Sequence, residues 1–257
     1  MRDMVGEIGR DATPDPMRVA SNDRGSAMPK RFYRAATAER TDAGYELRLD
    51  GRPARTPGRQ PLAAPSQPIG EAMAAEWAAQ GERIDPMSMP VTRIANTAID
   101  GVSQRMDAVR EDVAAFAGSD LLCYRADDPR GLVERQHAAW DPVLDRFEAE
   151  GPPRFALQTG IMPIEQPEAA MDGVRTRLGR INDPFRLAAL HVATTLTGSA
   201  LLAIALAEGW VDADAAWTAA HVDEDWNIAL WREDEEAMRR RALRRRDMDA
   251  AALILAV

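Results

Sequence analysis

Between Leu187 and Ala207 the chain runs for 21 residues without a formal charge, His191 being the one group there that can take up a proton. A stretch this apolar has to be kept from water, either by lipid or by the rest of the chain. Its length just suffices for a helix to cross a bilayer. Against a span stand His191, Thr194, Thr195, Thr197, Gly198 and Ser199, and the absence of a polybasic flank. The run therefore predicts one buried helix from Asp183-Pro184 to Gly209 at the centre of a bundle. Gly198 and Ser199 would let a neighbouring helix approach closely, and no stable membrane insertion is expected.

The segments around it carry helical stripes. Val91, Ile94 and Ala98 form one that ends at Gly101, and Ser103 is the expected cap of the next, with Met106, Val109, Val113 and Phe116 before Gly118. Leu132, Gln136, Trp140, Leu144 and Phe147 form another, with a kink or restart expected at Asp141-Pro142. Gly151 to Pro167 is irregular, and Met171, Val174 and Leu178 mark a further helix. Ala213 to Arg246 reads as one long helix or two stacked ones.

Upstream the period changes. Tyr45, Leu47 and Leu49 alternate with Glu46, Arg48 and Asp50, the signature of a strand with one apolar face. Asp50-Gly51 is a hairpin turn signal, with Arg52 to Thr56 as the return strand and Phe32–Ala38 as the strand before. Three short strands cannot bury themselves. Their cover is the next helix, opened by Ser66 and Pro68, closed by Gly81, with Ile69, Met73 and Trp77 at i, i+4 and i+8. The expected fold class is α+β: a small N-terminal antiparallel sheet with a covering helix, followed by an all-α helical-bundle domain. The expected boundaries are a polar arm over 1–28, a small α+β domain over 29–88 and an all-helical domain over 89–257.

Composition narrows the function. The formal net charge is −9, yet Lys30 to Arg59 hold eight Lys/Arg against four acidic residues. An acidic chain with one small basic module is not built for nucleic acid. The single cysteine, Cys123, excludes an intramolecular disulfide and fits a reducing compartment. Lying in LLCY between apolar neighbours, it reads as a buried, inert thiol. There is no Gly-x-Ser-x-Gly elbow, no phosphate-cradling loop and no His-Glu-x-x-His pattern, and Glu134 with His137 is a lone Glu-x-x-His where carboxylate-bridged sites take two, so no enzyme and no cofactor or metal is expected. His221 and Glu224 stand at i, i+3, where a metal shared with His191 can be imagined, and His137 lies in a different helix with Glu134. Residues 1–28 carry five acidic and four basic residues and no apolar run of signal-peptide length, which points to a cytoplasmic protein.

The most suggestive segment lies near the C-terminus. Trp217, Glu224, Ile228 and Trp231 fall near one helical face, and Asp223, Trp226 and Asp234 fall elsewhere. Tryptophans cannot all be buried under a helix carrying so many carboxylates unless it borders a groove. Aromatic anchors ringed by polar groups are typical of binding hot spots. Asp223, Glu224, Asp225, Trp226, Trp231, Glu233 and Asp234 are therefore the candidate partner-binding residues. From Glu233 to Arg246, by contrast, Glu235–Arg239 and Glu236–Arg240 are i, i+4 pairs of a self-neutralised helix.

Four stretches carry a resemblance to a known family: KRFYRAATAERTDAGYELRLDGRPARTP (Lys30 to Pro57), EWAAQGERIDPMSMPVTRIANTAID (Glu76 to Asp100), RQHAAWDP (Arg135 to Pro142) and HVDEDWNIALWREDEEA (His221 to Ala237). Together the chain resembles the assembly chaperones that hold the α subunit of the F-type ATP synthase catalytic head, over roughly residues 29 to 250. The resemblance implies an ATP-independent holdase. It would shield the α subunit's interface until the β subunit displaces it, in the cytoplasm of a bacterium or, for eukaryotic relatives, the mitochondrial matrix. The competing readings are an acidic adaptor of another complex and a metal-dependent hydrolase.

Overall fold

The computed structural model describes residues 28–151, 154–160, 162–231 and 235–257. Most of the expected polar arm thus lies outside the described residues. The chain opens with a curled sheet: β1 (Ala36–Thr41), β2 (Gly44–Leu49) and β3 (Arg52–Pro53) in antiparallel order. Register follows the alternation, Ala38 facing Leu47 and Ala36 facing Leu49, so Leu47 and Leu49 turn inward together. The turn between β2 and β3 places Asp50 at φ 49° and Gly51 at φ 77°, the doubly positive geometry that Asp-Gly favours. A fourth strand, β4 (Ala63–Ala64), pairs with the start of β2 on the edge away from β1, beyond β3, and is not legible as a strand because it is two residues long.

The first strand begins later than Phe32. Arg34 and Ala35 give their backbone N–H groups to the Asp50 carboxylate, and Arg31 and Tyr33 are tied elsewhere, so regular pairing starts only at Ala36. Helix α1 (Gln67–Ala78) covers the sheet with Ile69 and Met73 fully buried. Ser66 stands at its N-cap but its hydroxyl makes no capping bond. Trp77 is half-buried and packs on Tyr33 with ring centroids 5.5 Å apart.

The rest is helical: α2 (Pro90–Asp100), α3 (Met106–Gly118), α4 (Arg130–Ala149), α5 (Glu168–Leu178), α6 (Pro184–Thr197), α7 (Ala200–Ala207), α8 (Ala213–Ala220), α9 (Val222–Trp231) and α10 (Glu235–Leu255). A two-residue parallel ladder joins β5 (Tyr124–Arg125) to β6 (Gln158–Thr159) beside α4. The apolar core is continuous from Leu47 and Met73 through Ile94 to Leu190 and Ile254.

Four local expectations need correction. Ser103 does not cap α3; it sits in a 3-10 turn and donates to the carbonyl of Ile99, and the helix starts three residues on. Pro142 does not restart α4. It lies inside an unbroken helix whose buried Trp140, Val143 and Phe147 outweigh the one lost backbone bond, a cost of about 3 kcal/mol. The uncharged run is two helices, not one. Gly198 takes the left-handed conformation, φ 68°, and closes α6, while the Ser199 hydroxyl accepts from Leu202 N and opens α7. No helix among the described residues is long and apolar enough to cross a membrane. The stretch from Ala213 to Arg246 spans three helices, α8, α9 and the first half of α10.

The break at Gly198 is organised by Asp120. This fully buried carboxylate accepts from Ser199 Oγ at 2.6 Å, Leu201 N at 3.0 Å and Leu122 N at 3.1 Å. Burial nevertheless pushes its pKa up to about 6, the hydrogen bonds opposing that rise.

Candidate functional site: two interlocked motifs and a joint

The stretches RQHAAWDP and HVDEDW, about ninety residues apart, fold onto one another. Gln136 is the pin. Its Oε1 accepts from Ala126 N at 2.8 Å and its Nε2 donates to Asp223 Oδ1 at 2.7 Å, fastening β5, α4 and α9. One turn along, the buried Trp140 donates its indole N–H to the carbonyl of Ala219 at 2.7 Å. Asp141 bridges Arg125 at 2.8 Å and His137 at 2.6 Å. Burial alone would raise the Asp141 carboxyl, but His137 and Arg125 together hold it below the ordinary range.

Helix α9 lies across the start of α4. The Trp226 ring occupies the space a side chain at 131 would need: a Cβ on Gly131 would come within 2.8 Å of it. The Arg135 guanidinium stacks on the same ring, 4.9 Å from its centroid. Asp225 pairs with Arg241 of α10 at 2.5 Å. Trp217 is buried, stacked on His221 at 3.9 Å, with Arg241 and Arg245 over its ring. His221 is itself buried, and desolvation lowers its pKa, so it rests neutral.

Of the candidate binding residues, Asp223, Asp225 and Trp226 are brought together and each is held by a partner within the chain. Glu224 is the one of this group that stays exposed, at 44%, with its carboxylate 3.8 Å from His221 Nε2. The side chain of Trp231, and Glu233 and Asp234, lie outside the described residues.

The stretch from Glu76 forms a second construction, a joint between α1 and α2. The Glu76 carboxylate accepts from Val91 N at 2.7 Å, Thr92 N at 2.8 Å and Thr92 Oγ1 at 2.7 Å, and so caps α2 from another helix. Burial raises its pKa against those bonds. Gln80 locks the intervening turn by accepting from Asp85 N and donating to Ser88 Oγ and Glu76 O. Sequence reasoning gives Glu76 and Gln80 no role. The available signal was that Pro90 opens a helix behind Met89, which cannot cap, so its amides need an outside acceptor.

Among the described residues no group of three His, Cys, Asp or Glu could hold a metal ion. Burial pushes the Cys123 thiol up to about 12, far from a reactive thiolate.

A profile of the ATP12 chaperone protein family matches residues 30–148. Among solved structures, the chain is similar to Atu1473, a candidate chaperone from Agrobacterium tumefaciens, at 47% identity and a TM-score of 0.84, covering 95% of this chain and 92% of that one. It is also similar to Atp12 from Paracoccus denitrificans, at 37% identity and a TM-score of 0.79, covering 89% and 97%. A lysine-for-aspartate variant of the Paracoccus protein superposes equally well, at 36% identity. With its α+β fold and interlocked motifs, the molecule falls in the class of ATP synthase assembly chaperones. More narrowly, the chain belongs to the ATP12 chaperone family.

Proposed function

We propose that this protein binds the unassembled α subunit of the F-type ATP synthase, shields the surface its β neighbour will cover, and is displaced on assembly. Family membership supports the assembly role. The observation that carries the contact is the α4–α9 interlock, which holds Glu224 outward beside the half-buried Trp226 on a backbone pinned by Gln136 and Trp140. A rigid, partly aromatic surface with an exposed carboxylate suits reversible capture of a partner carrying basic groups. The partner-binding set is Asp223, Glu224, Asp225, Trp226, Trp231, Glu233 and Asp234, with Glu224 making direct contact and Asp223, Asp225 and Trp226 shaping the surface.

Binding alone does the work. An obligate subunit interface is large and apolar, so a chaperone of moderate affinity protects it and yields to the tighter native partner by mass action. No cofactor or catalytic step is required, and the site of action is the bacterial cytoplasm, where the α subunit is made. The test is a calorimetric titration of purified protein with isolated α subunit, then with added β subunit, and separately with magnesium-ATP. Saturable binding of α, release by β and no heat with magnesium-ATP are expected. Failure to bind α, or stoichiometric binding of ATP, overturns the proposal.

A further inference from the structure

The segment before β1 is fastened to the protein through alternate residues. Arg31 gives its guanidinium to the carbonyls of Ala78, Gln80, Tyr33 and Arg34, and Tyr33 donates its hydroxyl to Trp77 O at 2.7 Å. Both side chains are thus spent on the end of α1. The backbone adds an antiparallel bridge, Arg31 N to Glu82 O and Ile84 N to Pro29 O, each 2.9 Å. The residues between are left outside: Lys30, Phe32 and Arg34 are all exposed, and Phe32 is 73% exposed.

A phenylalanine this open, on a segment so firmly held, is not a loose loop residue. Its ring meets only the edge of Tyr33, at 5.3 Å. Lys30 has no hydrogen bond or ion pair among the described residues. Met28 extends the apolar surface at 46% exposure, and a cleft of about 580 Å³ beside Lys30 is lined by Arg31, Tyr33, Gln80, Gly81, Glu82 and Arg83, three cations with Lys30 against one carboxylate. Cations therefore flank an apolar anchor on a pre-ordered strand, within the basic module of an otherwise acidic chain.

We propose that Lys30, Phe32 and Arg34 form a second docking surface, opposite in charge to the one at Glu224. It takes a segment of the client that carries carboxylates on either side of an apolar residue. Preordering keeps the entropic cost of binding low, and flanking charges select a partner of opposite sign. Two surfaces of opposite sign would also fix the client's orientation, since a client docked in reverse meets like charge at both ends. The inference rests on the α-subunit reading above.

The test uses the full chain with Phe32→Ser, Lys30→Glu and the conservative Phe32→Leu, each checked by thermal melting and titrated against isolated α subunit at low and high salt. Phe32→Ser and Lys30→Glu are expected to weaken binding by about tenfold or more, as loss of an interface anchor does. Phe32→Leu should bind as the natural protein does, with melting temperatures unchanged throughout. The natural protein should lose affinity with salt more steeply than Lys30→Glu. If the natural protein binds α and both disruptive variants bind within about twofold of it, the second surface is disproved while the α-subunit reading stands. If the natural protein itself does not bind α, the parent reading fails and this surface falls with it.

Discussion

At the scale of single residues, the same side-chain chemistry has opposite consequences depending on what surrounds it. Glu224 and Asp120 are both carboxylates, one exposed and one sealed. Glu224→Lys should change stability by no more than about 0.5 kcal/mol, as surface substitutions do, while weakening capture of the α subunit, which thermal melting and a binding titration together measure. Trp77→Arg should do the reverse, lowering stability by about 3 kcal/mol because it puts a charge where Tyr33 and the sheet expect an aromatic cover. Asp120 gives a pH signature. Its pKa is higher folded than unfolded, so protonation stabilises the fold; that contribution is complete below the unfolded value near 3.8 and is lost as pH rises through about 6. The melting temperature of the natural protein minus that of Asp120→Asn should therefore grow as pH falls from about 7 to about 4.5. A gap that shrinks over the same window would mean that the Ser199, Leu201 and Leu122 hydrogen bonds dominate over burial.

At the scale of elements, periodicity was readable where one face is buried and misleading where tertiary partners decide. The alternation of Tyr45, Leu47 and Leu49, the Asp50-Gly51 turn and the Ile69–Met73 stripe all appear as expected, because each is a local statement about one face or one turn. The continuity of α4 through Pro142 and the break at Gly198 were not legible. The first depends on Trp140 finding Ala219, and the second on Asp120 reaching a helix about eighty residues away. The candidate site was half legible for the same reason. Sequence marks the acidic-aromatic segment, but nothing local says that Asp223 belongs to Gln136 and Asp225 to Arg241. Two substitutions test these elements by chemical denaturation. Pro142→Ala restores a backbone donor in mid-helix and should stabilise by about 2 kcal/mol, part of the intrinsic gain being offset by a less constrained unfolded chain. Gly198→Ala should cost about 1–2 kcal/mol from the left-handed backbone alone, since no atom lies within 4 Å of the added Cβ.

At the scale of the whole molecule, the chain is closed by its last helix. Helix α10 starts at an exposed Glu235–Arg239 pair and ends with Met248, Ala250, Ala251, Ile254 and Leu255 buried against α6, α2 and α8. Arg93 of α2 pairs with Asp247, and Arg186 of α6 donates to the carbonyl of Val257 at 3.0 Å, so the helix is fastened both to the joint and to the centre of the bundle. Its two ends should respond very differently to change. Neutralising the exposed Glu235–Arg239 pair should leave the melting temperature nearly unmoved, since such pairs contribute about 0–1 kcal/mol. Removing residues 251–257 deletes the buried Ile254 and Leu255, each contributing about 1.5–3 kcal/mol by burial, and opens the faces of α6 and α2 that they cover. The sum, about 5 kcal/mol, is comparable to the entire stability of an ordinary domain, so the shortened chain should show no cooperative thermal transition by circular dichroism. If it melts as the full chain does, the core must close without the end of α10, and the part that presents Glu224 would not depend on those last turns for its rigidity.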